Sequence, residues 1–302
     1  MWKLKVLIQF LLSKMPMGEK INYLLQKVIK SHNDEKTEGR ILDLIKSITK
    51  INERIPLEGS AVVEIGTGWM PICSVLFYLM GVSVCHTYDH LPHVRYELVI
   101  MLIRSIESQL DEISKITSIP LNVLENRISK LKKTTCLEDF FSRANIIYHA
   151  PGNGTNTGLK NESIDIVYSH AVLEHVPEKV IYDLTIECKR ILKKSGIAYH
   201  LIGLHDHYVS IDKKISKVNF LKYPEFLWAF FVKNKISYHN RLREKQFLDI
   251  FKKCDGRIIW LENKINSNDI DLLRNMKVDK AFQGMSYREL AIHRTELMIT
   301  FS

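Results

Sequence analysis

Two glycines and a distant acid in this chain could hold a nucleoside. The run Ala61-Val62-Val63-Glu64-Ile65 ends in Gly66-Thr67-Gly68, and Asp89 follows roughly 20 residues later. Glycine lets a backbone turn tightly and bring its N–H groups close to a ligand, while a carboxylate offers two acceptor oxygens to two adjacent ribose hydroxyls. A second group could move protons: His170 and His175, then His205, Asp206 and His207. Histidine is the usual proton acceptor near neutral pH, which makes His207, His205 and His175 the candidate bases. His205-x-His207 also has the form of a metal pair, but without a clear third ligand no metal is expected. A third group, Tyr208 with Tyr238, His239, Asn240, Arg241 and Arg243, would make a polar, cationic wall for a substrate. Two arginines can grip a carboxylate or phosphate in bidentate fashion, and equally can tack a loop to the fold through acids.

Particular elements must position these side chains. Val62, Val63 and Ile65 predict a buried strand, and Pro71 suits the first turn of a helix running to Met80. Further strands are expected over Val82–Tyr88, Asn145–His149, Ile164–Ser169, Ile197–Leu204, Arg257–Leu261 and Glu296–Phe301. A helix is expected over Glu178–Leu192, closed by Lys193, Lys194 and Gly196, with another over Gln246–Lys253 and a helical stretch covering 268–291. Apolar residues recur at three and four from Val94 to Ile113, predicting one amphipathic helix, and from Leu121 to Leu131, predicting a second. The expected plan is a helical cap over 1–50, periodic in Ile21–Ile29 and Ile41–Ile48 around a polar break at Ser31–Glu38. A single α/β domain over 51–302 follows, with a helical insertion at 91–143 and a substrate-shaping insertion at 205–250.

The 302-residue chain is 46% hydrophobic and 25% charged, ordinary for a globular protein. Its net charge of +9 is compatible with an anionic partner, although an excess of lysine is more often a solvated face. Five scattered cysteines without zinc spacing imply free thiols, a reducing compartment and a cytoplasmic location. The start, Met1-Trp2-Lys3-Leu4-Lys5-Val6-Leu7-Ile8, is too short to span a bilayer and lacks a cleavage site. Peripheral contact with a membrane through an N-terminal helix is the alternative to packing on the domain.

The Glu64-x-Gly66-x-Gly68 pattern, with Met70 where a dinucleotide motif has its third glycine, resembles class I S-adenosylmethionine-dependent methyltransferases. The stretch Val172-Leu173-Glu174-His175-Val176 after Ser169 is similar to the small-molecule branch of that family. The resemblance implies a Rossmann-like, doubly wound, seven-stranded sheet with its last strand antiparallel, and S-adenosyl-L-methionine as cofactor. It places Glu64, Gly66, Thr67 and Gly68 beside the methionine part, Asp89 at the ribose, Asn153 at the adenine amino group, and Ser169 nearby. Asn153 departs from the usual acid, but an amide oxygen can accept the same N–H. The implied reaction is O-methylation of a small molecule or glycan building block. The alternatives are a scaffold that keeps the fold without catalysis and a methyltransferase acting on lipid headgroups.

Nucleic acid is not an expected partner. Ser169-His170-Ala171-Val172 is not the Asp/Asn-Pro-Pro-aromatic motif of base amino methylation, and no cysteine follows a proline as C5 chemistry requires. Catechol-type metal chemistry would want clustered acids after the fourth and fifth strands, where only Asp206 qualifies.

Overall fold

The computed structural model describes residues 2–18, 20–22, 24 and 34–301. Most of the periodic stretch Ile21–Ile29, and residues 31–33 of the expected polar break, therefore lie outside the described residues. Among those described, the strands are β1 (Ala61–Ile65), β2 (Val84–Tyr88), β3 (Ile146–His149), β4 (Ile164–His170), β5 (Leu192–Gly203), β6 (Gly256–Ile265) and β7 (Ile292–Phe301). They form one seven-stranded sheet in the order β3-β2-β1-β4-β5-β7-β6. β3, β2, β1 and β4 pair in parallel, while β7 runs antiparallel, so the sheet is mixed and Rossmann-like. The strand order reverses at β1, whose neighbours are β2 and β4, and such a switch point opens a crevice at the carboxyl ends of the strands. Val62, Val63, Glu64 and Ile65 are consecutively buried, as a central parallel strand covered on both faces requires.

The helices are α1 (Trp2–Lys14), α2 (Asp34–Asn52), α3 (Ile72–Leu79), α4 (Tyr96–Glu107), α5 (Leu110–Thr117), α6 (Leu121–Lys132), α7 (Leu137–Arg143), α8 (Glu178–Ile191), α9 (Glu225–Phe231), α10 (Glu244–Lys253), α11 (Ser267–Asn275) and α12 (Tyr287–Leu290). Two compact units group them. One, the β1 unit, takes residues 32–169, 183–199 and 299–302; the other, the α1 unit, takes 1–31, 170–182 and 200–298. The division runs through the expected 1–50 cap, because α1 lies in one unit and α2 in the other.

In the β1 unit, α2 buries Ile41, Leu44, Ile45, Ile48 and Ile51 completely. It also runs through Asp34–Glu38, where a polar break was expected. The single helix expected from Val94 to Ile113 is two, α4 and α5. At the break the Ser108 hydroxyl and the Gln109 amide both donate to the Ser105 carbonyl, at 3.1 and 2.7 Å, competing with the helical ladder. Lys193, Lys194 and Gly196 do not end a helix either: they lie in β5, which follows α8 directly. Lys193 donates from that strand to both oxygens of Asp165, at 2.8 and 2.9 Å.

In the α1 unit, Val6, Tyr208, Phe220, Leu221, Trp228, Val232, Leu273, Phe282 and Leu290 form one buried apolar cluster, with Trp2 packed against it. The 205–250 segment is thus folded rather than looped, carrying α9 and short 3-10 turns at His207–Ser210 and Asn219–Lys222.

Candidate active site

The crevice of the β1 unit is built by three loops bonded to one another. The Gly66 N–H donates to the Tyr88 carbonyl at 2.8 Å, the Asp89 N–H to the His149 carbonyl at 3.0 Å, and the Gly152 N–H to the Asp89 carbonyl at 2.8 Å. Gly66 and Gly68 take φ of +87° and +69°, the left-handed region that favours glycine. A Cβ placed on Gly68 would meet nothing within 4 Å, so the space above this turn is open. The Asp89 carboxylate accepts from the Gly68 N–H at 2.8 Å and the Leu91 N–H at 3.3 Å, and lies 3.0 Å from His90 Nδ1. Burial opposes its ionisation, but the bonds from His90, Gly68 and Leu91 outweigh that and hold its pKa below the usual aspartate value.

Glu64 and Thr67 support this crevice from behind. Glu64 is 3% exposed, and its Oε2 accepts from the hydroxyls of Ser74 on α3 and Thr87 on β2. The hydroxyls of Thr67 and Thr87 pair at 2.6 Å. Burial raises the Glu64 pKa, against the pull of those hydroxyl bonds. Ser169 is fully buried on β4, in register with Ile65. Asn153 is exposed, and its Oδ1 accepts from the N–H and hydroxyl of Thr155 at 3.0 and 2.8 Å. The oxygen expected to meet an adenine amino group is therefore already engaged in a turn.

The α1 unit brings the candidate bases together. Glu174 and His175 sit on a 3-10 turn, Leu173–His175, just after β4. Glu174, in the stretch that resembles the small-molecule branch, is 1% exposed. Its Oε1 accepts from the Gly203 N–H at 2.9 Å, and its buried Oε2 has no hydrogen-bond partner among the described residues. Burial raises its pKa to about 8. Four imidazoles gather beside it, with the His207 ring 4.8 Å from His175, 4.9 Å from His205 and 4.1 Å from His239, the last stacked at 13°. His175 Nδ1 lies 3.0 Å from the Tyr238 carbonyl, and His205 Nδ1 3.3 Å from that of His293. Burial lowers the pKa values of His205, His207 and His239, that of His207 to about 3, which favours their neutral form. His170 is the last residue of β4.

The residues of the expected substrate wall are mostly buried. Arg243, 1% exposed, donates to the carbonyls of Leu204 at 2.7 Å, Leu290 at 3.1 Å and Ile292. Arg241, 5% exposed, donates to the carbonyls of Phe220 and Tyr223 and pairs with Glu225 at 2.5 Å. Asn240 clamps the Glu174 turn: its Nδ2 donates to the carbonyls of Leu173 and Val176 at 2.7 and 2.9 Å, and its N–H to that of Glu174 at 2.8 Å. Tyr208 belongs to the apolar cluster. Asp206, wholly buried, caps the turn after it and accepts from Asn219 at 2.9 Å. Of the wall, only Tyr238 remains half-exposed. His239, read as part of the wall, and Glu174, read as part of the stretch after β4, join the histidines through burial that no local pattern announces.

Residues 120–200 match the family described as a methyltransferase domain. That segment contains Asn153, Ser169, Glu174 and His175, and begins after the glycine turn and Asp89. No curated protein matches the chain. Among solved structures, the chain is similar to a geranyl diphosphate C-methyltransferase from Streptomyces coelicolor A3(2), with 11% identity, 96% of this chain and 85% of the other covered, and a TM-score of 0.46. It is also similar to an S-adenosylmethionine-dependent methyltransferase from Methanosarcina mazei, with 15% identity, coverage of 83% and 96%, and a TM-score of 0.45. Likeness at this level assigns neither substrate nor site residues. The match gives residues 120–200 as a methyltransferase domain, and the glycine–aspartate crevice that precedes it is built from the residues that resemble class I S-adenosylmethionine-dependent methyltransferases. No helix among the described residues is long and apolar enough to cross a membrane.

Proposed function

We propose that the enzyme methylates a hydroxyl oxygen of a small molecule or glycan building block. The observation carrying this reading is the cluster of His175, His205 and His207, each in a segment that directly follows β4 or β5. Doubly wound folds place chemistry at those strand ends. The crevice residues fit the cofactor: Asp89 keeps lone pairs for two ribose hydroxyls, and the open turn at Gly68 admits close backbone approach. When bound, S-adenosylmethionine supplies an electrophilic methyl group. This chain's part is to align the acceptor and to take its proton at an imidazole nitrogen, His207 or His205.

The reading is tested by calorimetry with S-adenosylhomocysteine and by transfer of labelled methyl to hydroxylated acceptors. Binding without transfer to any acceptor, with the His207→Asn variant indistinguishable from the wild type, would favour the scaffold reading.

A second reading, action on lipid headgroups, is favoured by one surface. Leu4 and Leu11 on α1 are 62% and 53% exposed, and Phe226 and Phe230 on α9 are 69% and 58% exposed. Phe10 packs on Phe230 and Phe231 at 4.9 and 5.3 Å, joining the two helices into one apolar face beside Lys3 and Lys14. Co-sedimentation with anionic vesicles should then fall when residues 1–15 are removed. Equal and negligible pelleting of both chains excludes it.

A further inference from the structure

We propose that Glu174, His175 and His207 bind one divalent transition-metal ion, of the zinc, cobalt or manganese type. One ligand atom from each of the three lies within 4.8 Å of the others. Two imidazoles and a carboxylate form a donor set suited to such ions, with a further position left open for an oxygen ligand. Two ligands on a tetrahedral ion stand about 3.4 Å apart, so binding draws these side chains slightly together.

Three independent features prepare the residues for that role. The first is the Glu174 carboxylate, almost wholly buried, with Oε1 held by the Gly203 N–H while Oε2 has no hydrogen-bond partner among the described residues. A buried carboxylate oxygen without a partner is costly, and a cation satisfies it. The second is His175, whose Nδ1 sits 3.0 Å from the Tyr238 carbonyl. An Nδ1–H donated there leaves the Nε2 lone pair outward, the arrangement by which an outer carbonyl orients a metal-bound histidine. The third is steric. His207 is fixed by stacking on His239, and a Cβ at Gly203 would fall 2.6 Å from Glu174 Oε1 and 3.5 Å from His207 Nε2. The glycine keeps the space between the two ligands clear. His175 is exposed and gives the ion a way in.

The other grouping of this kind, Asp89 with His90 and His93, shares its acid with the cofactor crevice and serves as the control. The proposal rests on the hydroxyl-acceptor reading only for its use, which is to hold the acceptor oxygen and make its proton easier to lose, with His205, which is not a ligand, left as the base that takes it. The existence of the site does not depend on that reading.

The test uses the full chain, stripped with a chelator, dialysed and titrated with Co2+ alone. Visible absorption reports stoichiometry and coordination without cofactor or acceptor present. One equivalent should bind, and Glu174→Gln and His207→Gln should each weaken binding at least about 100-fold, more than loss of an outer partner does. His93→Gln should bind as the wild type. Circular dichroism checks each variant's fold, and His175→Gln, at the exposed ligand, carries the test if the buried variants do not fold. No Co2+ bound at millimolar concentration, binding that all three ligand variants retain, or binding lost in His93→Gln overturns the site. Failure of S-adenosylhomocysteine to bind in a separate titration would count against the methyltransfer reading alone.

Discussion

The Gly68 N–H donates to the Asp89 carboxylate at 2.8 Å, tying the turn after β1 to the acid after β2. A ligand that meets the carboxylate therefore also meets the glycine turn. Asp89→Ala should weaken S-adenosylhomocysteine binding between about 10- and 150-fold, the range for hydrogen bonds to a charged group. Calorimetry measures it, and an unchanged affinity would remove Asp89 from the ribose.

Gly68→Ala separates conformation from space. The φ of +69° makes any side chain there cost about 1–2 kcal/mol. Gly59, at φ +76° and equally open, should lose similar stability on conversion to alanine. Only Gly68→Ala should also weaken cofactor binding. Equal binding by both variants would place the cofactor elsewhere.

Glu64 gives the pH dependence. Burial raises its folded pKa above the ordinary 4.5, so the folded chain binds this proton more tightly than the unfolded one. Its contribution is then fullest below pH 4.5 and declines as pH rises towards the folded value. Urea midpoints of Glu64→Gln relative to wild type should accordingly rise between pH 4.5 and 7. A flat difference would mean that the hydroxyls of Ser74 and Thr87 compensate the burial completely.

Arg243 should prove structural. Its guanidinium satisfies three carbonyls in the α1 unit, and Arg243→Met would leave them without donors at a cost of about 3 kcal/mol or more. Arg243→Lys should recover little, because an ammonium cannot reproduce the planar fork. Urea unfolding reports this. Lost methyl transfer with full stability would return Arg243 to substrate recognition.

The central strands and the glycine–aspartate crevice were legible because their signals are local: a buried apolar run, glycines with positive φ, an acid at a strand end. The α4–α5 break was not, since the Val94–Ile113 periodicity continues unbroken through Ser108 and Gln109 while their side chains compete for the Ser105 carbonyl. The end of α8 was misplaced for a related reason. Lys193 and Gly196 look like a helix stop, but Lys193 is needed by Asp165 across the sheet. The site histidines were visible as residue types. Their gathering, and the burial of Glu174 beside them, depends on contacts between segments far apart in the chain, which no spacing encodes.

Asn240 is the fastener of the Leu173–His175 turn. One amide side chain fastens both flanks of the turn that carries Glu174 and His175. Its loss would release both flanks at once, so the shape of this short turn is dictated by a residue far downstream in the chain.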